Sequence, residues 1–435
     1  MNNNNMTQHF SYQDDILTID GVSLKELAIQ YGTPLYVYSK KALVDNFRQY
    51  ADNCKQFESD KIHSLVCYSV KSNSNLAILN ILGREGAGFD IVSGGELQRV
   101  IAAGCDPRKV IFSGVGKTAS EIGLALKHDI HCFNIESFAE LHRINQVAQE
   151  MSKQARVSFR VNPNVDPKTH PYISTGLKEN KFGIPYEEAL TCYKAAASMT
   201  NIDVTGIDCH IGSQLLDDAP LLEALDKLLH LADQLAEAGI TLKHIDIGGG
   251  IGITYDDEKP VAISDYLTRL FTRVENWRKQ KHPDQSIGLM FEPGRSISGN
   301  AGLLLTQVQY LKTNSDKNFA IVDAAMNDLM RPALYEAWHK VLPVSNRKGE
   351  TTAYDIVGPV CESGDWLAKQ RDLVIQADDI LAIMSAGAYG MAMASNYNTR
   401  GRAAEVLIDD GKAYLIRRRE TPEELFALES VLPSL

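Results

Sequence analysis

Between residues 40 and 294 two kinds of apolar pattern take turns. Short unbroken apolar runs, the mark of strands buried on both faces, fall at 63–70, 88–93, 110–114, 131–136, 156–162, 204–212, 244–250 and 287–293. Among them lie stretches with apolar side chains three and four positions apart, at 95–103, 119–128, 137–153, 187–198, 221–238 and 263–279. A further one at 42–57 precedes them, with Leu43, Phe47, Tyr50 and Ala51 at helical spacing. Strand–helix alternation calls for parallel strands joined by right-handed crossovers. Eight such units within about 230 residues predict a closed (β/α)8 barrel, with an open doubly wound sheet as the alternative.

After residue 293 the helical period fades. Extended runs appear at 304–312, 319–324, 354–361, 372–376 and 380–384. The runs 405–408 and 413–417 flank Asp409-Asp410-Gly411-Lys412, a hairpin turn signature. Short alternating runs at 16–19 and 35–38 fit the same texture. The pattern predicts a barrel over 40–294 and a mostly β second domain assembled from 1–39 and 295–435, with no repeat or long linker between them.

Composition narrows the functional classes. The 435 residues carry 44 Lys+Arg against 55 Asp+Glu, a formal charge of −11. An acidic balance argues against nucleic acid or anionic lipid as partner. Met-Asn-Asn-Asn-Asn-Met at the start leads into no apolar core and is not a secretory signal. The most apolar stretch, 380–394, is broken by Ser385, Gly387, Tyr389 and Gly390, so no membrane span is expected. The seven cysteines are odd in number and none forms a Cys-x-x-Cys pair. Neither a disulfide framework nor a metal knuckle follows, and a reducing cytoplasm is the simplest compartment. His128 and His131 lack nearby third and fourth ligands, so no metal is expected.

The active site of such a barrel lies at the C-terminal ends of its strands. Here those ends read Tyr68-Ser69-Val70-Lys71-Ser72-Asn73, Asp90 followed by Ser93-Gly94-Gly95-Glu96, Arg160, His210-Ile211-Gly212-Ser213-Gln214, Gly248-Gly249-Gly250-Ile251-Gly252 and Glu292-Pro293-Gly294-Arg295. Packing alone does not predict apolar strands that all finish in ionisable or glycine-rich residues. Each group has a plain reading. Lys71 could be a solvated strand end, the glycine run a tight turn, His210 a core histidine, and Glu292 a half-buried paired acid. Each also has a chemical one. A partly buried Lys71 is an amine nucleophile. The glycine run is a nest of backbone N–H groups at a helix start, suited to phosphate. It is not a dinucleotide fingerprint, because Ile253 stands where the last glycine would be. His210 could stack on an aromatic cofactor, and Glu292 could hold a heteroaromatic nitrogen protonated. Taken together the chemical readings describe a pyridoxal phosphate site with Lys71 as its Schiff-base lysine.

The ordered set Tyr-Ser-Val-Lys-Ser-Asn (68–73), Phe-Asp-Ile-Val-Ser-Gly-Gly-Glu (89–96), His-Pro-Tyr-Ile-Ser-Thr-Gly (170–176) with Lys-Phe-Gly (181–183), His-Ile-Gly-Ser-Gln (210–214), Gly-Gly-Gly (248–250), Glu-Pro-Gly-Arg (292–295) and Gly-Pro-Val-Cys-Glu-Ser-Gly-Asp (358–365) closely resembles the diaminopimelate decarboxylase family. That family belongs to the fold-type III pyridoxal phosphate enzymes, alongside alanine racemase and ornithine decarboxylase. The resemblance runs from about Pro34 to the C-terminus. One departure is Ser69-Val70-Lys71-Ser72, where the family usually shows alanine beside the lysine.

The resemblance implies decarboxylation of meso-2,6-diaminopimelate to L-lysine, the last step of lysine biosynthesis. It implies Lys71 and Cys361 as catalytic residues, the cysteine protonating Cα. It places Asp90, Arg160, His210, Ser213, Gly249, Gly250, Glu292, Pro293, Gly294, Arg295 and Tyr389 around the cofactor. Arg295, Arg331, Tyr335, Glu362 and Tyr389 would bind substrate, and the Cys361–Glu362 loop would enter the site of the other subunit of a homodimer. Physical chemistry agrees on the substrate. Its distal end carries a carboxylate and an ammonium, which Arg295 and Arg331 on one side and Glu362 on the other can hold. Alternatives are a decarboxylase of carboxynorspermidine or a basic amino acid, a non-catalytic relative that kept the fold, and racemase-like chemistry, which would want a tyrosine base instead of the Cys361 loop.

Overall fold

A computed structural model describes residues 9–166, 180–314 and 316–433. The 170–176 motif and the Asn-rich start lie outside the described residues. The chain divides into two compact units, one of residues 44–253 and 259–297, the other of 1–43, 254–258 and 298–435.

The first unit is the barrel. Its eight parallel strands are β1 (Ile62–Ser69), β2 (Gly88–Ile91), β3 (Val110–Phe112), β4 (Cys132–Ile135), β5 (Ala155–Asn162), β6 (Ile202–Asp208), β7 (His244–Asp246) and β8 (Ile287–Phe291). Ile287–Phe291 runs in register with Ile62–Val66 and closes the ring, which excludes the open sheet. Helices follow the strands where the periodicity puts them, among them Gly94–Ala102, Ala119–Lys127, Phe138–Glu150, Ala219–Glu237 and Ile263–Lys281. Ser93, Thr118 and Ser137 cap three of these by accepting the N–H of a glutamate three residues on. Cys67, Ile111, Cys132 and Met290 form an apolar layer inside the barrel.

The strands are shorter than their apolar runs suggested. β6 stops at Asp208 and β7 at Asp246, so His210 to Gln214 and the glycine run stand clear of the ladder. Gly248 and Gly250 adopt φ of 68° and 122°, which no strand accommodates. The glycine run also does not open a helix, since the next begins at Ile263. Its phosphate-binding potential rests on the turn itself.

The second unit is mostly β. Leu35–Ser39 lies central in its large sheet, antiparallel to Gly302–Thr313 and parallel to Ala404–Asp409. Phe10–Gln13, Ile16–Ile19 and Val22–Ser23 form a separate three-stranded sheet, and its Phe10 and Leu17 share one core with Leu27, Leu35, Leu303, Leu305 and Val406, which is why the N-terminal segment packs with this unit. Asp410 and Gly411 turn at φ of 49° and 71°, the pair of left-handed residues the hairpin needed. The strand expected at 372–376 is instead Trp366–Leu373, because Gln370 at φ 53° interrupts the alternation.

Candidate active site

Strand register assembles the site in the barrel unit. Ser69 on β1 sits beside Asp90 on β2, and Asp208 on β6 sits beside both Arg160 on β5 and Asp246 on β7. Lys71 follows β1 in a single tight turn, Val70–Ser72. Its Nζ donates to Asp90 Oδ2 at 2.6 Å. Ser69 Oγ lies 2.8 Å from the same oxygen and 3.0 Å from the Glu292 carbonyl, two acceptors between which its single proton is shared. The Ser69 N–H bonds the Pro293 carbonyl, so the segment after β8 is tied to the lysine turn. Ser69 is thus held against a fully buried carboxylate.

Gly249 N–H donates to His210 Nδ1 at 3.2 Å. Burial first, then the Arg160 and Lys71 charges, push His210 well below the usual imidazole range, so its ring is neutral and Nδ1 accepts. A Cβ at Gly249 would lie 2.2 Å from the Glu292 carbonyl oxygen, a backbone atom that cannot step aside. Gly249→Ala is expected to weaken cofactor binding by about tenfold or more, the scale of a forced backbone shift; titrating the apo-protein with pyridoxal phosphate measures it.

Arg295 donates from Nε and Nη2 to Ser213 Oγ at 3.3 and 3.1 Å. Arg160 pairs with Glu136 at 3.0 Å and donates to the His210 carbonyl at 3.1 Å. Glu292 is buried, with Ser113 Oγ and Asn134 Nδ2 each 3.4 Å from Oε1. Desolvation, then Asp246 and Asp90, push its carboxyl well above the usual range, and Asp246 itself is pushed up to about 7, chiefly by burial. The oxygens of Asp208, Asp246 and Glu292 lie within 4.8 Å of one another. Three buried acids so close cannot all ionise, and at least one keeps its proton.

These barrel residues fit pyridoxal phosphate. An amine stands at a strand end against a buried carboxylate whose second oxygen, Asp90 Oδ1, has no hydrogen-bond partner. A guanidinium, a hydroxyl and a glycine turn suit a phosphate, a neutral imidazole suits a ring face, and a buried carboxyl suits a pyridine nitrogen, with which it can share a proton.

The other predicted residues belong to the second unit. Arg331 and Tyr335 occupy one short helix, Arg331–Tyr335. Arg331 is buried, donates to His339 Nε2 at 2.9 Å and packs over the Tyr255 ring at 4.5 Å. His339 Nδ1 is 2.8 Å from the Met384 carbonyl, which only accepts, so that nitrogen carries the proton and Nε2 receives Arg331. Cys361 and Glu362 stand in a loop without regular structure. Asp365 shapes it, accepting N–H bonds from Val360 and Met326 at 2.7 Å each. Cys361 is exposed, and Glu362 accepts the Tyr397 hydroxyl at 2.6 Å. Tyr389 turns at φ 55°. Ser113, Asn134, Glu136 and Asp208 carry no motif that singles them out in the sequence, although each lies within one residue of a barrel strand's end.

The comparisons agree with this chemistry. The family described as pyridoxal-dependent decarboxylase, pyridoxal binding domain, matches residues 46–299. The diaminopimelate decarboxylase of Vibrio cholerae is 54% identical over 98% of this chain and 99% of its own. That of Haemophilus influenzae is 52% identical over 97% and 99%. Among solved structures, diaminopimelate decarboxylase of M. jannaschii in complex with L-lysine superposes with a TM-score of 0.93 at 40% identity, covering 98% of each chain. The Helicobacter pylori enzyme, also with L-lysine, gives 0.86 at 43% identity, covering 93% of this chain and 98% of that one.

Proposed function

Because the chain belongs to the diaminopimelate decarboxylase family of pyridoxal-dependent decarboxylases, we propose that it converts meso-2,6-diaminopimelate to L-lysine and CO₂. The observation that carries this is the barrel set itself, Lys71 on Asp90 beside His210, Ser213, Glu292 and Arg295, in a chain 54% identical to a diaminopimelate decarboxylase. When bound, pyridoxal phosphate supplies an aldehyde for the amine and a ring that accepts the electron pair left when the Cα–carboxylate bond breaks.

This chain's residues do the rest. Lys71 provides the amine, and Asp90 and Ser69 hold it in place. Arg295, Ser213 and the turn at Gly249 and Gly250 bind phosphate; the bonds from Arg295 to Ser213 favour this role over substrate binding. Neutral His210 faces the ring, Arg160 fixes the His210 backbone, and Glu292 keeps a proton at the ring nitrogen. Pro293 and Gly294 carry that segment past the lysine turn. Cys361 donates the proton that replaces CO₂ on Cα. Arg331, held by His339 and Tyr255, takes the distal carboxylate, with Tyr335 on the same helix; Glu362 takes the distal ammonium and Tyr389 contacts cofactor and substrate.

We further propose a homodimer in which the Cys361–Glu362 loop serves the partner's site, as the family resemblance implies. All seven cysteines are free, which suits the reducing cytoplasm. Among the described residues no helix is long and apolar enough to cross a membrane.

Incubation with the cofactor and meso-diaminopimelate is expected to yield L-lysine and one CO₂ per substrate, read by chiral chromatography. Faster turnover of carboxynorspermidine or ornithine would overturn the assignment.

A further inference from the structure

Lys117 was not singled out by its sequence and takes no part in the proposed chemistry, yet its side chain is fully buried. An ammonium without water must satisfy all three of its donors internally. Lys117 does so. Its Nζ donates to Glu140 Oε1 and the Asn134 carbonyl at 2.7 Å each and to the Gly114 carbonyl at 2.8 Å. Two of those acceptors stand just beyond β3 and on β4, on the end of the barrel that bears the site.

From there two arms run inward. In the first, the other Glu140 oxygen accepts the Glu136 N–H at 2.8 Å. Glu136 uses both carboxylate oxygens in turn, one for Arg160 at 3.0 Å and one for the Gly183 N–H at 2.7 Å. Arg160 donates to the His210 carbonyl at 3.1 Å. In the second arm, Lys117 fixes the backbone of Asn134. The Asn134 side chain reaches Ser113 Oγ at 3.3 Å and Glu292 Oε1 at 3.4 Å. One buried cation therefore fixes both the residue that would face the cofactor ring and the one that would hold its nitrogen.

We propose that Lys117 is a positioning residue for the cofactor, acting through Glu140–Glu136–Arg160 on His210 and through Asn134 on Glu292. This deepens the assignment of His210 and Glu292 made above and rests on it. A plain structural staple would lower the thermal stability of the protein without the cofactor and change nothing else. A positioning residue also changes how the cofactor is held.

The test compares wild-type protein, Lys117→Met and Glu140→Gln. Each apo-protein is titrated with pyridoxal phosphate for its dissociation constant, the visible absorbance maximum of the bound cofactor is recorded, and the apo melting temperature is taken alongside. Lys117→Met is expected to raise the dissociation constant about tenfold or more and to shift the band. Glu140→Gln, which cuts one arm only, should give a smaller change in the same direction. A dissociation constant within twofold of wild type and an unmoved band in folded Lys117→Met overturn the proposal, whatever the melting temperature does. If Lys117→Met does not fold, the same outcome in Glu140→Gln overturns it. Failure of wild-type protein to bind the cofactor at all would instead refute the functional assignment beneath it.

Discussion

Lys71→Ala is expected to abolish product formation and, with it, the visible absorbance of bound cofactor. The expectation follows from position. Lys71 leaves β1 in one tight turn and its amine meets Asp90 Oδ2 at 2.6 Å. Asp90 is itself fixed by Ser69 and has no exposure to solvent. Alanine leaves the carboxylate buried and removes the only nucleophile that this reading assigns to the cofactor aldehyde. Covalent catalysis splits one hard step into two easier ones, and deleting its nucleophile costs several orders of magnitude. The apo-protein should still melt cooperatively, because the lysine side chain is about one-third exposed and contributes little packing. Decarboxylation at a normal rate by the alanine variant would show the lysine assignment to be wrong.

Cys361→Ala is expected to leave cofactor binding intact and to slow lysine formation by about 10² or more, the usual scale for losing a positioned acid. The thiol is exposed on a loop whose shape depends on Asp365, so its removal opens no cavity. The deficit should lie in kcat, with KM little changed, since the proton is delivered after the carboxylate has gone. Unchanged rates would point to another proton donor. Mixing Lys71→Ala with Cys361→Ala protein after subunit exchange should restore part of the activity, because a hybrid dimer with shared sites keeps one intact pair. No rescue after verified exchange would make each subunit self-contained.

Much of this architecture was legible in the sequence, for identifiable reasons. Buried parallel strands read as short apolar runs and their covering helices as a 3.6-residue period, and the two do not mimic each other over eight repeats. The ends of the strands were less legible. Apolarity continues through Ile211 and Ile247, but the strands stop at Asp208 and Asp246, and left-handed Gln214, Gly248 and Gly250 follow them. The strand at Trp366–Leu373 was misplaced because a left-handed Gln370 shifts the alternation. Lys71, His210, the glycine run and Glu292 stood out because chemical residue types cluster at strand ends. Lys117, Glu136 and Asn134 did not. Their roles depend on partners 17 to 158 residues away, and spacing along the chain does not show which strands become neighbours. Asp208 was hidden for the same reason, since only the register brings it beside Asp246.

If the Lys71 amine holds the cofactor, the bond between them can be trapped chemically. Holoenzyme is reduced with borohydride, digested and analysed by mass spectrometry. The pyridoxyl group is expected on the peptide that contains Lys71 and on no other lysine. A label on Lys117 or any other lysine, or no label in protein that turns substrate over, would contradict it.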